Sequence, residues 1–224
     1  MTSRRLRALD LGLLTLGALV WIPIMLACAL AVAIGSGRPI FFRQERVGRN
    51  GVPFQVMKFR SMRVADDLEQ PTADSITRVG ALLRRTSLDE LPQLLNVLRG
   101  DMSLVGPRPM LPRQVAALSE TQAARHDVRP GLTGLAQVSG RNAIPWAERL
   151  SLDVDWATGA SIRTYLGIVA KTFTVIATGD GVDGNDTDDP FVQLVYMKDE
   201  MEESVAPVLV LDSTPALHRE QVAA

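Results

Sequence analysis

Residues that bind metals or carry redox chemistry are scarce in this 224-residue sequence. The one cysteine, Cys28, lies inside an apolar run, so neither an internal disulfide nor a cysteine metal cluster can form. His126 and His218 are far apart in sequence, which argues against a zinc enzyme. A phosphate-loop Gly-Lys-Ser/Thr and a Gly-x-Ser-x-Gly nucleophile elbow are both absent. Asp183–Leu194 is not a calcium loop, because it lacks the glycine at its sixth position and the terminal glutamate. Charge is missing altogether from Leu11 to Gly37.

That uncharged run exceeds the roughly 20 apolar residues needed to cross a bilayer. It is too long for a typical signal-peptide core, and no clear small-residue cleavage site follows it before Arg38. Arg4, Arg5 and Arg7 come before it, and Arg38, Arg43, Arg46 and Arg49 follow. Basic flanks favour the cytoplasmic side, and here both flanks are basic. Pro23 sits near the middle, where its missing N–H and its ring disturb a helix. A hairpin that dips into one leaflet and returns satisfies both flanks, and a single straight span is the alternative.

The net charge of −1 hides an asymmetry. Residues 1–179 carry 22 Lys and Arg against 14 Asp and Glu, whereas Asp180–Glu203 holds nine acids and one base. A basic body suits phosphates, anionic lipid or nucleic acid, and an acidic tail reads as a solvated segment. The expected division is an apolar segment over 1–37, a folded domain over 38–179 and an acidic, flexible tail over 180–224.

Within the domain, Ile40–Val47 and Phe54–Met62 read as strands joined by a turn at Gly48–Gly51. Val64–Ser75 reads as a polar loop, Thr77–Arg85 as a short helix, and Ser87 to about Arg99 as a second helix. Met102–Val105 is a short apolar run in a loop. Pro112–Ala124 reads as helix, Leu132–Val138 as strand, and Pro145–Trp156 and Ile162–Thr178 as helices.

Three stretches could carry chemistry. Ser87-Leu88-Asp89-Glu90-Leu91-Pro92 sets two adjacent carboxylates at an expected helix start, where exposed N–H groups favour negative charge. The same run matches a capping box, Ser87 with Glu90, which needs no chemistry. With Asp89 as the cap instead, Pro92 falls in the first turn and is tolerated. Gly106-Pro107-Arg108-Pro109 stiffens the backbone around Arg108, either as a rigid surface turn or to present a guanidinium to phosphate. Arg43, Lys58 and Arg60 alternate with Phe42, Phe54 and Phe59, a pattern that fits nucleic acid, lipid head groups or a solvated hairpin. Asp153-Val154-Asp155 resembles a metal-binding acidic triplet but lies in an expected helix.

Together these stretches resemble the bacterial sugar transferases, the small monotopic phosphoglycosyl transferases. The resemblance spans about Leu11 to Thr178. It rests on RPIFFRQERVGRNGVPFQVMKFRSM (Arg38–Met62), TRVGALLRRTSLDELPQLLNVLRGDMSLVGPRP (Thr77–Pro109) and RPGLTGLAQVSGRN (Arg129–Asn142). It implies an α+β, mainly helical membrane protein with an N-terminal re-entrant helix hairpin, a small β-hairpin and interfacial amphipathic helices. It also implies a Mg²⁺-dependent aspartate–glutamate pair, corresponding to Asp89 and Glu90, which would act in catalysis and hold the metal. Arg108 corresponds to the family's phosphate-binding arginine, and Lys58, Arg60, Arg84 and Arg141 are further substrate-binding candidates. The implied reaction moves a sugar 1-phosphate from a nucleotide diphosphate sugar, with uridine the usual base, to polyprenol (undecaprenyl) phosphate. It would pass through a sugar-phosphoryl aspartate and begin polysaccharide or glycoconjugate assembly. The implied setting is the bacterial inner membrane with the domain facing the cytosol, in contact with membrane lipid, with no nucleic-acid partner and with room for a homodimer. One departure stands out: the family's helix often breaks at Ser-Pro, and this chain has Ile22-Pro23. A membrane-tethered binding module, or a scaffold of a polysaccharide machine, is the non-catalytic alternative.

Overall fold

The computed structural model describes residues 2–63, 75–178 and 191–194. The expected loop over Val64–Ser75 lies outside them except for Ser75. The acidic tail and the Asp183–Leu194 segment lie outside them except for a helical turn at 191–194.

The first element is a 35-residue helix, α1 (Thr2–Ser36), with Pro23 inside it. The helix hairpin expected from the sequence is therefore a single continuous helix here. Long helices tolerate one proline when neighbouring groups or local adjustment cover the lost hydrogen bond. This helix, over Arg4–Ser36, is long and apolar enough to cross a membrane by length and composition.

It does not stand apart from the rest of the chain. Leu6, Leu9 and Leu13 pack on a cluster centred on Val105, Val138, Trp156, Tyr165 and Ile168. Leu14 and Trp21 join Val56, Leu94, Val97 and Met102. Cys28 and Val32 are buried with Phe59 and Leu83. The three core clusters thus follow one another along α1, which forms the spine of the fold. Its remaining surface is apolar and open: Leu16 and Leu19 are 81% and 89% exposed.

Polar groups fix both ends of that spine. Asp10 is the only acid in α1 and is buried. Its Oδ1 accepts from Ser103 Oγ at 3.0 Å, Leu104 N at 2.9 Å and Tyr165 Oη at 2.7 Å. Arg7 donates to the carbonyls of Val97 and Leu98 at the end of a later helix. At the other end Ser36 Oγ donates to Thr77 Oγ1 at 2.9 Å, and Arg60 donates to the carbonyls of Ser36 and Arg38.

Two strands, β1 (Phe41–Val47) and β2 (Pro53–Phe59), form the expected antiparallel hairpin, with Phe41 opposite Phe59 and Val47 opposite Pro53. Its turn uses Asn50 and Gly51 at φ 57 and 76, the left-handed region that Asn and Gly tolerate best. Helix α2 (Arg78–Arg85) is capped by Thr77, whose Oγ1 accepts from Gly80 N at 2.9 Å.

The next stretch departs from expectation. Instead of one helix from Ser87 there is a tight 3-10 turn, Leu88–Glu90, then α3 (Gln93–Arg99). Ser87 takes φ 56 and caps nothing with its side chain, so the capping box is not formed. Pro92 stands just before α3, where its missing N–H costs little. Strand β3 (Ser103–Val105) follows, then α4 (Pro112–Ala116) and α5 (Glu120–Ala123). A continuous Pro112–Ala124 helix was expected, but Ser119 interrupts it by capping α5, with Gln122 closing the box.

The expected strand over Leu132–Val138 is also divided, into β4 (Gly131–Thr133) and helix α6 (Leu135–Ser139), separated by Gly134. Strand β4 pairs in parallel with β3. A Cβ on Gly131 would strike Gly106, so two motif glycines let these backbones meet. The fold closes with α7 (Trp146–Gly159) and α8 (Ile162–Thr178).

Candidate active site

A cavity of about 1020 Å³ opens beside the β-hairpin. All seven residues proposed from the sequence line it: Lys58, Arg60, Arg84, Asp89, Glu90, Arg108 and Arg141. They arrive from β2, the end of the hairpin, α2, the 3-10 turn, the Pro-Arg-Pro loop and the segment after α6.

Among these lining residues the two carboxylates differ sharply. Glu90 Oε1 receives Lys58 Nζ at 2.6 Å and Arg108 NH2 at 3.0 Å. Burial pushes the Glu90 carboxyl up, but Arg108 and Lys58, by charge and hydrogen bond, outweigh it and hold it at about 2. Asp89 is pushed above the usual carboxylate range, first by burial and then by the Glu90 charge, against the pull of Lys58 and Arg84. Neighbouring carboxylates whose environments drive them apart are suited to different tasks. Glu90 is the pinned anion that orders two cations, and Asp89 is the more basic group facing the cavity.

The Pro-Arg-Pro loop is gripped from two sides. Arg125 NH2 donates to the Arg108 carbonyl at 2.7 Å, and Arg46 NH1 donates to the Pro109 carbonyl at 3.2 Å. Arg125 is itself buried and held by Asp153 Oδ2, at 3.1 Å from Nε and 2.5 Å from NH2. Burial lowers the affinity of Arg46 for its proton, to about 10, with Arg108 adding to the effect. The Arg108 side chain stays 57% exposed at the cavity mouth while its backbone is fixed.

Two sequence readings change in this setting. Arg60 lines the cavity, but it is buried and donates to the Ser36 and Arg38 carbonyls, so its guanidinium anchors the end of α1. The Asp153-Val154-Asp155 triplet does not converge: Asp153 is buried against Arg125, while Asp155 points to solvent. Positions two apart on a helix face away from each other. Arg84 uses Nε on Ser61 Oγ at 2.8 Å. Arg141 takes φ 52 at the cavity wall, an uncommon conformation for a side chain of its size.

The sequence did not mark Asp10 or Arg125, and it singled out Asp153 only within the Asp153–Asp155 triplet, not as the partner of Arg125. Each is an ordinary charged residue until its distant partner is known. A single acid at the head of an otherwise acid-free helix was the one available signal for Asp10.

Among the described residues no group of three or more His, Cys, Asp or Glu is placed to hold a metal ion. The donor set therefore offers two adjacent carboxylates at most. Mg²⁺ commonly uses one or two carboxylates and takes its remaining ligands from water and substrate phosphate. Asp89 and Glu90 fit that mode and do not form an all-protein cage.

Residues 2–179 match the sequence profile described as bacterial sugar transferase. The chain belongs to the bacterial sugar transferase family. A UDP-glucose:undecaprenyl-phosphate glucose-1-phosphate transferase of Caulobacter vibrioides is 43% identical over 189 residues, 79% of this chain and 71% of that protein. An uncharacterized sugar transferase of Bacillus subtilis, EpsL, is 43% identical over 162 residues, 71% of this chain and 80% of the relative. The exopolysaccharide production protein ExoY of Rhizobium meliloti is 35% identical over 195 residues, 78% and 86% of the two chains. Asp89-Glu90 and Pro107-Arg108-Pro109 lie within the matched residues and meet at the Glu90 ion pairs.

Proposed function

We propose that this family member is a phosphoglycosyl transferase that moves a sugar 1-phosphate from a UDP-sugar to undecaprenyl phosphate, with Asp89 as nucleophile. The observation that carries the reading is the shared Glu90 carboxylate. It holds Lys58 and Arg108 at the mouth of a cavity beside a more basic Asp89. This arrangement presents cations to a diphosphate and leaves one carboxylate suited to attack.

In the first step an Asp89 carboxylate oxygen attacks the phosphorus that bears the sugar. The bond from that phosphorus to the bridging oxygen breaks, and UMP leaves with the oxygen and the electron pair. Arg108, a planar two-pronged donor, holds phosphate oxygens during the attack. In the second step an oxygen of undecaprenyl phosphate attacks the same phosphorus. The acyl phosphate bond breaks, Asp89 returns as a carboxylate, and the sugar leaves on a lipid-linked diphosphate. Lys58 and Arg108 stay in place because Glu90 is ionised at any physiological pH. Asp89 and Glu90 would also hold Mg²⁺, which supplies charge neutralisation on the phosphate oxygens when bound.

We further propose that α1 lies in one leaflet of the bacterial inner membrane without crossing it, with both ends on the cytosolic side. The docking of both ends supports this. Asp10 and Arg7 bind one part of the domain, and Val32 and Ser36 bind another. A straight span of 35 residues is about 52 Å long and would carry one end away from a domain lying on the other side. The open apolar face, including Leu16, Leu19, Leu26 and Leu30, would meet lipid.

The reading is tested by release of UMP from UDP-glucose or UDP-galactose by purified protein in lipid nanodiscs with undecaprenyl phosphate and Mg²⁺. Multiple-turnover release that depends on the lipid phosphate, with all release lost in Asp89→Asn, is expected. Wild-type protein inactive with every UDP-sugar tried, or an active Asp89→Asn variant, would contradict it.

A further inference from the structure

The cavity extends past the ion pairs to a wall built from α6, α7 and α8, and the reaction above assigns nothing to that wall. Gln137, on α6, lines it. Among the described residues, neither Nε2 nor Oε1 of Gln137 has a hydrogen-bond partner, and both atoms are buried. Buried amide groups in folded proteins are almost always paired, so an orphaned pair of donor and acceptor calls for a partner from outside the chain. The amide also has space reserved for it. Any side chain at Gly134 would strike Gln137 Oε1 and the Gly106 carbonyl.

A second orphan shares the wall. Asp153 Oδ1, on α7, lines the cavity and is buried without a partner, while Oδ2 takes both hydrogen bonds from Arg125. Trp146 lines the cavity too, but its ring is already engaged, with the Arg149 guanidinium 5.0 Å over it and the Phe191 ring 5.0 Å away. The wall therefore offers the NH2 group and the oxygen of the Gln137 amide and a second oxygen acceptor on Asp153.

From this set we infer that Gln137 reads the uracil base of the nucleotide sugar, with Asp153 Oδ1 as the second acceptor. The inference rests on the transferase reading and adds to it the residue that selects the base. Uracil presents N3–H between two carbonyls. Gln137 Nε2 donates to one carbonyl, and N3–H is taken by Gln137 Oε1 or Asp153 Oδ1. Neutral cytosine lacks the N3 hydrogen, so a carboxylate acceptor there faces a lone pair. A site built around such polar atoms rejects a ligand that leaves them unpaired. Sugar hydroxyls could use the same amide, and the test separates them from the base.

The probes are UMP and CMP, titrated by calorimetry into the full chain in nanodiscs, with UDP-sugar turnover measured on the same sample. Wild type is expected to bind UMP roughly tenfold or more tighter than CMP, a difference of one or two hydrogen bonds. Gln137→Leu should weaken UMP by a similar factor and leave the unfolding temperature unchanged or higher, since it removes buried polar atoms that pair with nothing in the protein. Equal binding of UMP and CMP, or no measurable UMP binding, would overturn the assignment. Unchanged UMP affinity in Gln137→Leu with a raised KM for the UDP-sugar would give the amide to the sugar and overturn it as well. The turnover control shows separately whether the transferase reading stands.

Discussion

A few contacts between residues remote in sequence give the site its order. Arg108 reaches the cavity because Arg125 and Arg46 hold the carbonyls of its loop, and Arg125 stays in place because Asp153 neutralises it in a buried setting. Removing one member of a buried pair strands the other charge. Arg125→Met is therefore expected to cost about 3–5 kcal/mol of stability, while Arg125→Met with Asp153→Leu recovers most of it. Turnover should not recover with stability, because the Arg108 carbonyl still lacks its donor and the cavity wall has lost the Asp153 acceptor. Denaturant unfolding and kcat measured on the single and double variants check this. A double variant with normal kcat would mean that Arg125 serves the fold alone.

At the scale of the element, α1 decides both architecture and topology. All three of its Asp10 hydrogen bonds fall on one oxygen. Asp10→Ala leaves Ser103, the Leu104 N–H and Tyr165 without an acceptor and is expected to cost about 2–4 kcal/mol. Asp10→Asn keeps an oxygen and should cost clearly less, as thermal unfolding in nanodiscs would show. For topology, Arg4→Cys and Arg38→Cys in a Cys28→Ala background should both label from the cytosolic side only. Labelling of Arg4→Cys solely from the opposite side would establish a spanning helix. Pro23→Ala should leave the pattern unchanged, because the helix already continues through Pro23 and both ends are pinned to the domain.

The elements also show what a sequence can and cannot reveal. The β-hairpin, α2, α7 and α8 were legible because their signals are local: alternation, a cap and a 3.6-residue period. The Asp-Glu and Pro-Arg-Pro motifs were legible as motifs, and the structure brings them to one cavity. The left-handed Ser87, which separates α2 from the Leu88–Glu90 turn, was not legible, since nothing in serine marks a positive φ. Nor was the division of Leu132–Val138 into strand and helix at Gly134, because an apolar run of that length suits either. For Arg60 the basic character was visible, but the two carbonyls at the end of α1 to which it donates were not.

For the whole molecule, one continuous helix, an open apolar surface and a charged cavity lie on a single chain that belongs to the bacterial sugar transferases. Such a combination suits a reaction between a water-soluble donor and a lipid acceptor, with neither leaving its own phase. The central claim is that the phosphorus visits Asp89 between them. Wild-type protein should be incubated with UDP-sugar and Mg²⁺ in the absence of lipid phosphate, quenched, digested and analysed by mass spectrometry. The account predicts a sugar-phosphate adduct on the peptide containing Asp89, together with exchange of labelled UMP into UDP-sugar and neither signal in Asp89→Asn. Absence of both adduct and exchange in protein that turns over normally once undecaprenyl phosphate is added would contradict it and require direct transfer between the two substrates.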